Sequence, residues 1–380
     1  MQLLSTRYTA EHGWDVPLDA GLDSPRTLLI AFGDTNAAAL EGAFAELRTT
    51  YPQALWIGGS TAGEIYQTGL ADHTLVVAVL AFRHTELRLA QCRVAEPEQS
   101  YEVGSTLAAQ LSAPDLKLVF VMSDGLTVNG SELTKGLSRH LPHDVVVTGG
   151  LAGDGTAFQR TWVLADKQPQ SQQVVAIGFY GEQIGMAYGS RGGWDVLGAE
   201  REVTYAEGNV LYSLDGQPAL TLYKKYLGDR ARELPSAGLL FPLAIRNEQE
   251  EDGLTVRTIL SIDEEKQSIT FAGDIPQGGF VRLMRANFER LIDGAGDAVD
   301  GMNFAGYSGG PLLAVAISCV GRRLVLNQRV EEEIEAVREG LPAESHLIGF
   351  YSYGELSPLR SGRCDLHNQT MTLTAFWEHE

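Results

Sequence analysis

The chain has 380 residues, 44% of them hydrophobic and 21% charged, which supplies a sizeable core and excludes a largely disordered chain. Its 29 basic and 49 acidic residues leave a formal net charge of −20, with no run of Lys or Arg longer than a pair, so the surface repels nucleic acid and anionic lipid. Three cysteines, Cys92, Cys319 and Cys364, with no CxxC pair, exclude a four-thiolate zinc site and fit a reducing compartment better than a disulfide framework.

In chain order, residues 27–32 (TLLIAF) predict a strand that ends at Gly33-Asp34-Thr35. Residues 36–50 carry Ala, Leu and Phe at helical spacing and predict a helix stopped near Pro52. A second strand at 54–57 enters the turn Gly58-Gly59-Ser60-Thr61-Ala62-Gly63-Glu64, and strands at 73–82 and 86–94 follow. From 116 the same order returns: a strand at 116–122, a helix at 131–141 ended by Pro142, a strand at 144–148, and the turn Gly149-Gly150-Leu151-Ala152-Gly153-Asp154. Strands at 173–180 and 183–190 close this second copy, and the two turns, GGSTAGE and GGLAGD, differ in length by one residue. The repeated order predicts an internal duplication.

After 190 the texture changes. Residues 197–216 have scattered apolar positions and mark the expected boundary between an N-terminal domain at 20–195 and a C-terminal domain at 215–380. Within the latter, 218–227 predicts a short helix, and 239–246, 255–262 and 268–271 predict a β-meander with charged turns. A segment opening at 279 becomes a helix through 292. A fainter third copy then follows: a strand at 313–320, an acid-rich helix at 327–339 and a strand at 346–353 running into Gly354-Glu355. Its closing strand at 367–376 (HNQTMTLTAF) mirrors 73–82 (HTLVVAVLAF). Alternating strands and helices, with adjacent strands after the turns, predict an α/β protein of layered mixed sheets with outer helices, built from repeated strand–helix–strand–strand units. The longest apolar run, 75–82, is far short of the ~20 residues that span a bilayer. The first 20 residues hold no apolar stretch of signal-peptide length, so the chain is expected to be soluble and cytoplasmic.

Several motifs resemble a known family. GGSTAGEI (58–65), FVMSDGL (120–126) and GGLAGDG (149–155) are similar to the N-terminal FIST domain. VLNQR (325–329), GFYSYGELSP (349–358) and LHNQTMTLTAF (366–376) are similar to the C-terminal FIST domain. The resemblance runs from about residue 20 to 378 and implies a sensory module that binds a small ligand, not an enzyme. The family also occurs fused to output segments such as histidine kinases. This chain shows none, so the resemblance implies a separate partner, a histidine kinase of a two-component system or another signalling protein. In length and architecture the chain is also similar to a stand-alone bacterial branch that binds b-type haem and senses nitric oxide.

The residues themselves offer two chemistries. Successive N–H groups in the glycine turns (Gly59, Ser60 and Thr61; Gly150) can cup an anion, and the nearby carboxylates Glu64, Asp124, Asp154 and Glu355 can take an amine, which suits a zwitterion such as an amino acid. The alternative is that the glycines permit tight turns and the acids cap them. Tyr351 and Tyr353 share one face of a strand and, with Glu355, His367 and Asn368, can line a pocket or form an ordinary sheet face. A haem needs an apolar slot and an axial side chain. The absence of CxxCH excludes covalent attachment; His367 and His346 are the axial candidates, with Cys319 and Cys364 behind them. His140 and His143 form HxxH at a helix end, where solvated histidines complement the helix dipole, and no metal site is expected. Ser60, Ser123 and Ser308 are the nucleophile candidates of a serine-type hydrolase. Gly306-Tyr307-Ser308-Gly309-Gly310 has the GxSxG string but lies before a strand instead of between a strand and a helix. A protein without a ligand, using the acidic helix 331–339 as a contact surface, is the remaining alternative.

Overall fold

The computed structural model describes residues 1–234, 236–246, 254–359 and 361–379; one charged turn of the expected meander, 247–253, lies outside the described residues. Three units of one design build most of the molecule. Each has a leading strand, a helix on the outer face, a strand parallel to the leading one, and a return strand antiparallel to it. In unit one these are Thr27–Gly33, Glu41–Thr50, Leu55–Ser60 and Leu75–Ala81. In unit two they are Leu116–Ser123, Gly130–His140, Val146–Leu151 and Gln173–Tyr180. In unit three they are Leu313–Cys319, Val330–Gly340, His346–Ser352 and Met371–Glu378.

Alternation explains why the leading strands are apolar throughout. In Thr27–Gly33, Leu28, Ile30 and Phe32 point to the centre of the molecule, while Leu29 and Ala31 point to the outer helix and its Phe44 and Leu47. The inner faces of all three sheets meet in one central core, where Phe32 packs on Phe350 at 4.6 Å and Phe120 on Phe376 at 5.8 Å between ring centroids.

The sheets exchange edges. The hairpin Glu64–Tyr66/Gly69–Ala71 leaves unit one and pairs with His346–Ser352 of unit three. The hairpin Val163–Ala165/Gln168–Gln170 leaves unit two and pairs with Leu55–Ser60 of unit one. The hairpin Gly354–Pro358/Cys364–His367 leaves unit three and pairs with Val146–Leu151 of unit two. The other edge of each sheet is filled by a strand lying earlier in the chain: Gln2–Thr9, Glu86–Arg93 and Ile184–Arg191 pair with the return strands of units one, two and three. Residues 86–94 and 183–190, expected to close their own units, therefore open the next ones.

A fourth body, the cap, sits on this ring. It is a nine-stranded antiparallel sheet running from Asp195–Val196 to Phe280–Arg285, with the helix Ala219–Leu227 on it and a core of its own around Val203, Leu220 and Phe271. Residues 197–216, expected as a boundary, hold its strands Arg201–Glu207 and Val210–Leu214, whose alternation is broken by register shifts. The helix Ser100–Leu111 had no counterpart in the sequence reading.

The closing strand at 367–376 is broken. His367 ends the hairpin arm Cys364–His367, and the return strand begins at Met371. A residue with left-handed backbone stands two positions before each return strand's paired segment: His73 (φ +62°), Gln172 (φ +59°) and Gln369 (φ +61°). The structural counterpart of His73 is thus Gln369, not His367. The two alignments differ by two residues, which leaves every side chain on the same face, so the apolar pattern matches either way.

One glycine is required at the same place in every unit. A Cβ on Gly58, Gly149 or Gly349 would lie 1.8, 1.9 or 1.9 Å from the carbonyl oxygen of Ala31, Val121 or Ala316 on the leading strand. Backbone cannot retreat there without breaking the parallel pairing. Gly349→Ala is therefore expected to cost at least ~2 kcal/mol. A urea midpoint within error of the wild type would show that the strands can separate to admit a methyl.

Candidate functional site

All three glycine turns emerge at the C-terminal ends of the parallel strand pairs, the edge where α/β sheets characteristically bind ligands. They meet on the axis of the ring through a cycle of backbone hydrogen bonds: Gly153 N–H to Ser60 O at 3.0 Å, Tyr353 N–H to Leu151 O at 3.2 Å, and Ala62 N–H to Tyr351 O at 2.8 Å. Gly59 and Gly150 serve this packing. A Cβ would stand 2.9 Å from Trp162 O in one case and 2.9 Å from Ile317 in the other.

Glu64 and Glu355 occupy equivalent positions and do the same thing. Glu64 accepts from the Thr74 N–H at 3.1 Å and the Thr74 hydroxyl at 2.9 Å, and bonds the Thr61 hydroxyl through its other oxygen. Glu355 accepts from the Thr370 N–H at 3.2 Å, the Thr370 hydroxyl at 2.8 Å and the Ser352 hydroxyl at 2.7 Å. Each carboxyl fastens its turn to the start of the return strand. Burial raises Glu64 to about 7 and Glu355 to about 8, against the hydrogen bonds that favour the charged form.

Asp154 is displaced by one residue from that position. It accepts from the Phe158, Gln159 and Arg160 N–H groups at 2.8, 2.7 and 2.8 Å, and from the Tyr353 hydroxyl. Its pKa lies below the usual value: burial pushes it up, but the Tyr353 hydroxyl and the three N–H groups together outweigh that. Asp124 binds the Leu126, Thr127 and Gln172 N–H groups, each at 2.9 Å.

Tyr351 and Tyr353 share a face but part at their tips. The Tyr351 hydroxyl donates to Glu333 at 2.6 Å, within a fully buried network in which Glu333 pairs with Arg322 at 2.7 Å. Tyr353 stacks on Phe158, with centroids 4.6 Å apart and planes 13° from parallel. Ser60 Oγ accepts from Trp162 N–H at 3.1 Å. Asn368 is buried and donates to His367 O at 3.0 Å.

Two cavities open at this edge. The smaller, about 420 Å³, is polar and gathers the predicted Thr61, Glu64 and Asp154 with Arg160 and Arg323. The larger, about 970 Å³, lies between the cap and units two and three. Of the predicted residues it includes Tyr353 and the fallback axial candidate Cys319. Its other walls come from the loop after Ser123, the start of the helix Val320–Leu326, and the cap segments around Ile259 and Phe271. Sequence reasoning missed Phe158, Leu260 and Leu324, because nothing in their local pattern says that the cap folds over them.

Neither axial candidate fits a haem in these cavities. The His367 imidazole lies within 3.0 Å of Ser357 O, and the half-buried His346 shares a hydrogen bond with Ser5 Oγ at 2.7 Å; neither lines either cavity. Cys319 does line the larger one, where burial pushes its thiol up to about 12. Among the described residues no group of three or more His, Cys, Asp or Glu is placed to hold a metal ion, and no helix is long and apolar enough to cross a membrane.

Residues 27–217 match the FIST N domain and residues 219–358 the FIST C domain, with the join on the strand that leads into the cap helix. The chain belongs to the FIST family, a family of sensory signalling domains. An uncharacterized protein of Methanocaldococcus jannaschii is 26% identical over 320 residues; the match covers 73% of this chain, which spans 60% of that relative's length. A crystal structure of a cyanuric acid hydrolase from A. caulinodans aligns over 99% of both chains with 9% identity and a TM-score of 0.37, a likeness too slight to bear on fold or chemistry.

The two buried glutamates set a pH dependence. In the unfolded chain they release their protons near 4.5, whereas the folded chain holds them to about 7 and about 8. Between those values the folded state carries the extra protons, so stability falls as pH rises. The loss is of the order of 3 kcal/mol for Glu64 and about 5 kcal/mol for Glu355. Gln keeps the shape and most of the hydrogen bonds without titrating. The double variant Glu64→Gln, Glu355→Gln is expected to show a flatter melting temperature between pH 5 and 8.5 than the wild type. Parallel curves would place the titration elsewhere.

Proposed function

We propose that this protein is a cytoplasmic, non-enzymatic sensor whose small ligand binds in the 970 Å³ cavity and alters how the cap sits on the ring, a change read by a separate signalling protein such as a histidine kinase. The carrying observation is that two separately cored bodies each supply walls to that cavity. The cap has its own core around Leu220 and Phe271, and unit two its own around Leu133 and Leu137. Among the described residues few polar ties join the cap to the ring there: Asn129 and Lys135 to Asp274 at 3.2 and 3.1 Å, Asp274 N–H to Ser131 Oγ at 3.4 Å, and Arg257 to Leu366 O at 2.9 Å. A ligand touching both bodies has a different free energy in each arrangement, which is the condition for a population shift.

A second reading uses the smaller cavity for a zwitterion such as an amino acid. What favours it is the Arg160 side chain, which forms no ion pair among the described residues, beside the acids of the first two turns.

A thermal-shift screen separates the readings. Ligands of the large cavity are expected to raise the melting temperature of the wild type and not of Leu260→Trp, which fills the mouth. A shift that survives Leu260→Trp and disappears in Arg160→Ala would move the site to the smaller cavity. No shift across amino acids, amines and aromatic acids would overturn the sensor reading.

A further inference from the structure

Four exposed apolar side chains from four separate segments meet around the large cavity: Leu126 at 37% exposure, Phe158 at 52%, Leu260 at 44% and Leu324 at 41%. Apolar residues exposed singly need no explanation, but four around one cavity are a binding surface.

Phe158 is the most constrained of them. It holds a left-handed backbone (φ +50°), which a side chain of this size rarely adopts. The Asp154 carboxylate accepts its N–H at 2.8 Å, and its ring lies flat on Tyr353. Tyr353 is itself fixed by its hydroxyl to the same Asp154. One carboxylate thus orients both members of an aromatic pair whose outer ring stays half in water. Strain held in this way, at the mouth of a cavity, points to use.

The charge of the walls is one-sided. Glu98, Glu132 and Asp274 line the cavity, and among the described residues no Lys or Arg does. The nearby cations are already engaged. Lys135 bridges Glu132 at 2.6 Å and Asp274 at 3.1 Å, and Arg257 donates to the carbonyls of Leu366 and Asp274 at 2.9 and 3.2 Å. Glu98 forms no ion pair among the described residues. The helix Gly130–His140 begins beside the cavity, but Asn129 Oδ1 accepts the Glu132 N–H at 3.2 Å and Glu132 sits in its first turn, so the dipole offers no site to an anion. The buried Thr258 hydroxyl lines the cavity beside the Cys319 thiol and has no partner at normal hydrogen-bond distance among the described residues.

We infer that the large cavity takes an organic cation: an apolar or aromatic body laid against the Phe158–Tyr353 pair, with its ammonium group directed to the carboxylates of Glu98, Glu132 and Asp274. The aromatic faces and the acidic walls both attract positive charge, while the apolar mouth receives the rest of the molecule. This rests on the reading of the cavity as the ligand site.

Three dansyl probes with one fluorophore and different charge test it: dansylcadaverine (ammonium), dansylamide (neutral) and dansylglycine (carboxylate), titrated at low salt with emission as the readout. Dansylcadaverine is expected to bind at least tenfold more tightly than dansylglycine, with dansylamide between them. Phe158→Ala should weaken all three, and Glu98→Gln with Glu132→Gln should close the gap between the charged probes. Dansylglycine binding as tightly as dansylcadaverine, with all three still lost in Leu260→Trp, would overturn the cation assignment and leave the cavity as the site. No emission change with any probe would overturn both.

Discussion

Three backbone hydrogen bonds on the axis of the ring are the constraint on which the rest depends. Ser60 O, Leu151 O and Tyr351 O each accept from the next unit's turn. The hairpins that follow the turns are then committed to a neighbour's sheet, because each turn has already crossed the boundary. No unit can complete its own sheet. Unit one alone would leave the edge of Leu55–Ser60 unpaired and Phe32 without Phe350. Unpaired edges and an open core are costly, so the three units stand or fall together. The glycines at 58, 149 and 349 are the local condition for this arrangement, since they let the parallel strand lie against the leading one just before the turn.

The same geometry explains how an acidic chain buries so many carboxyls. Glu64 and Glu355 are taken out of water with only hydroxyl and amide partners, and they respond by holding their protons toward neutral pH. Glu333 is handled differently: it is fully buried but meets Arg322 and the hydroxyls of Ser318 and Tyr351. Breaking one side of such a pair leaves a charge in the core, so this network ties the helix Val330–Gly340 to its strand more through what its loss would cost than through what it gains.

The ring was largely legible in the sequence because its strands are buried on both faces and its turns are marked by glycine. Leu116–Ser123 and Gln173–Tyr180 are continuous apolar runs and could hardly be anything else. The third unit was legible too, but its closing strand was misaligned by two residues, a shift that periodicity cannot detect. Edge exchange was invisible because a strand's composition does not say which sheet it joins. For the site, the turns were found and their inward role was not. The acids of GGSTAGE and GFYSYGELSP read either as ligand groups or as caps of their own turns, yet Glu64 and Glu355 spend oxygens on Thr74 and Thr370, residues ten and fifteen positions later. Phe158 and Leu260 had no signal at all, since their meeting depends on the docking of the cap.

Pseudo-symmetry also shows where function departed from architecture. The residue that follows each leading strand's last position paired with the return strand is Asp34 in unit one, Asp124 in unit two and Cys319 in unit three. In the first two units an aspartate orders the loop beyond it, Asp34 through Asn36 N–H at 2.6 Å and Asp124 through Leu126 and Thr127 N–H. In unit three that acid is gone and a buried thiol faces the large cavity instead. Asp154 departs as well: one residue out of step with Glu64 and Glu355, it gives up the staple and orients Phe158 and Tyr353. The Cys319 thiol lines the cavity that the cap covers, and Asp154, itself on the smaller cavity beside Glu64, positions the Phe158–Tyr353 pair that lines the larger one. A repeat that kept its threefold rule for folding alone would have no reason to break it twice in ways that shape the walls of one cavity.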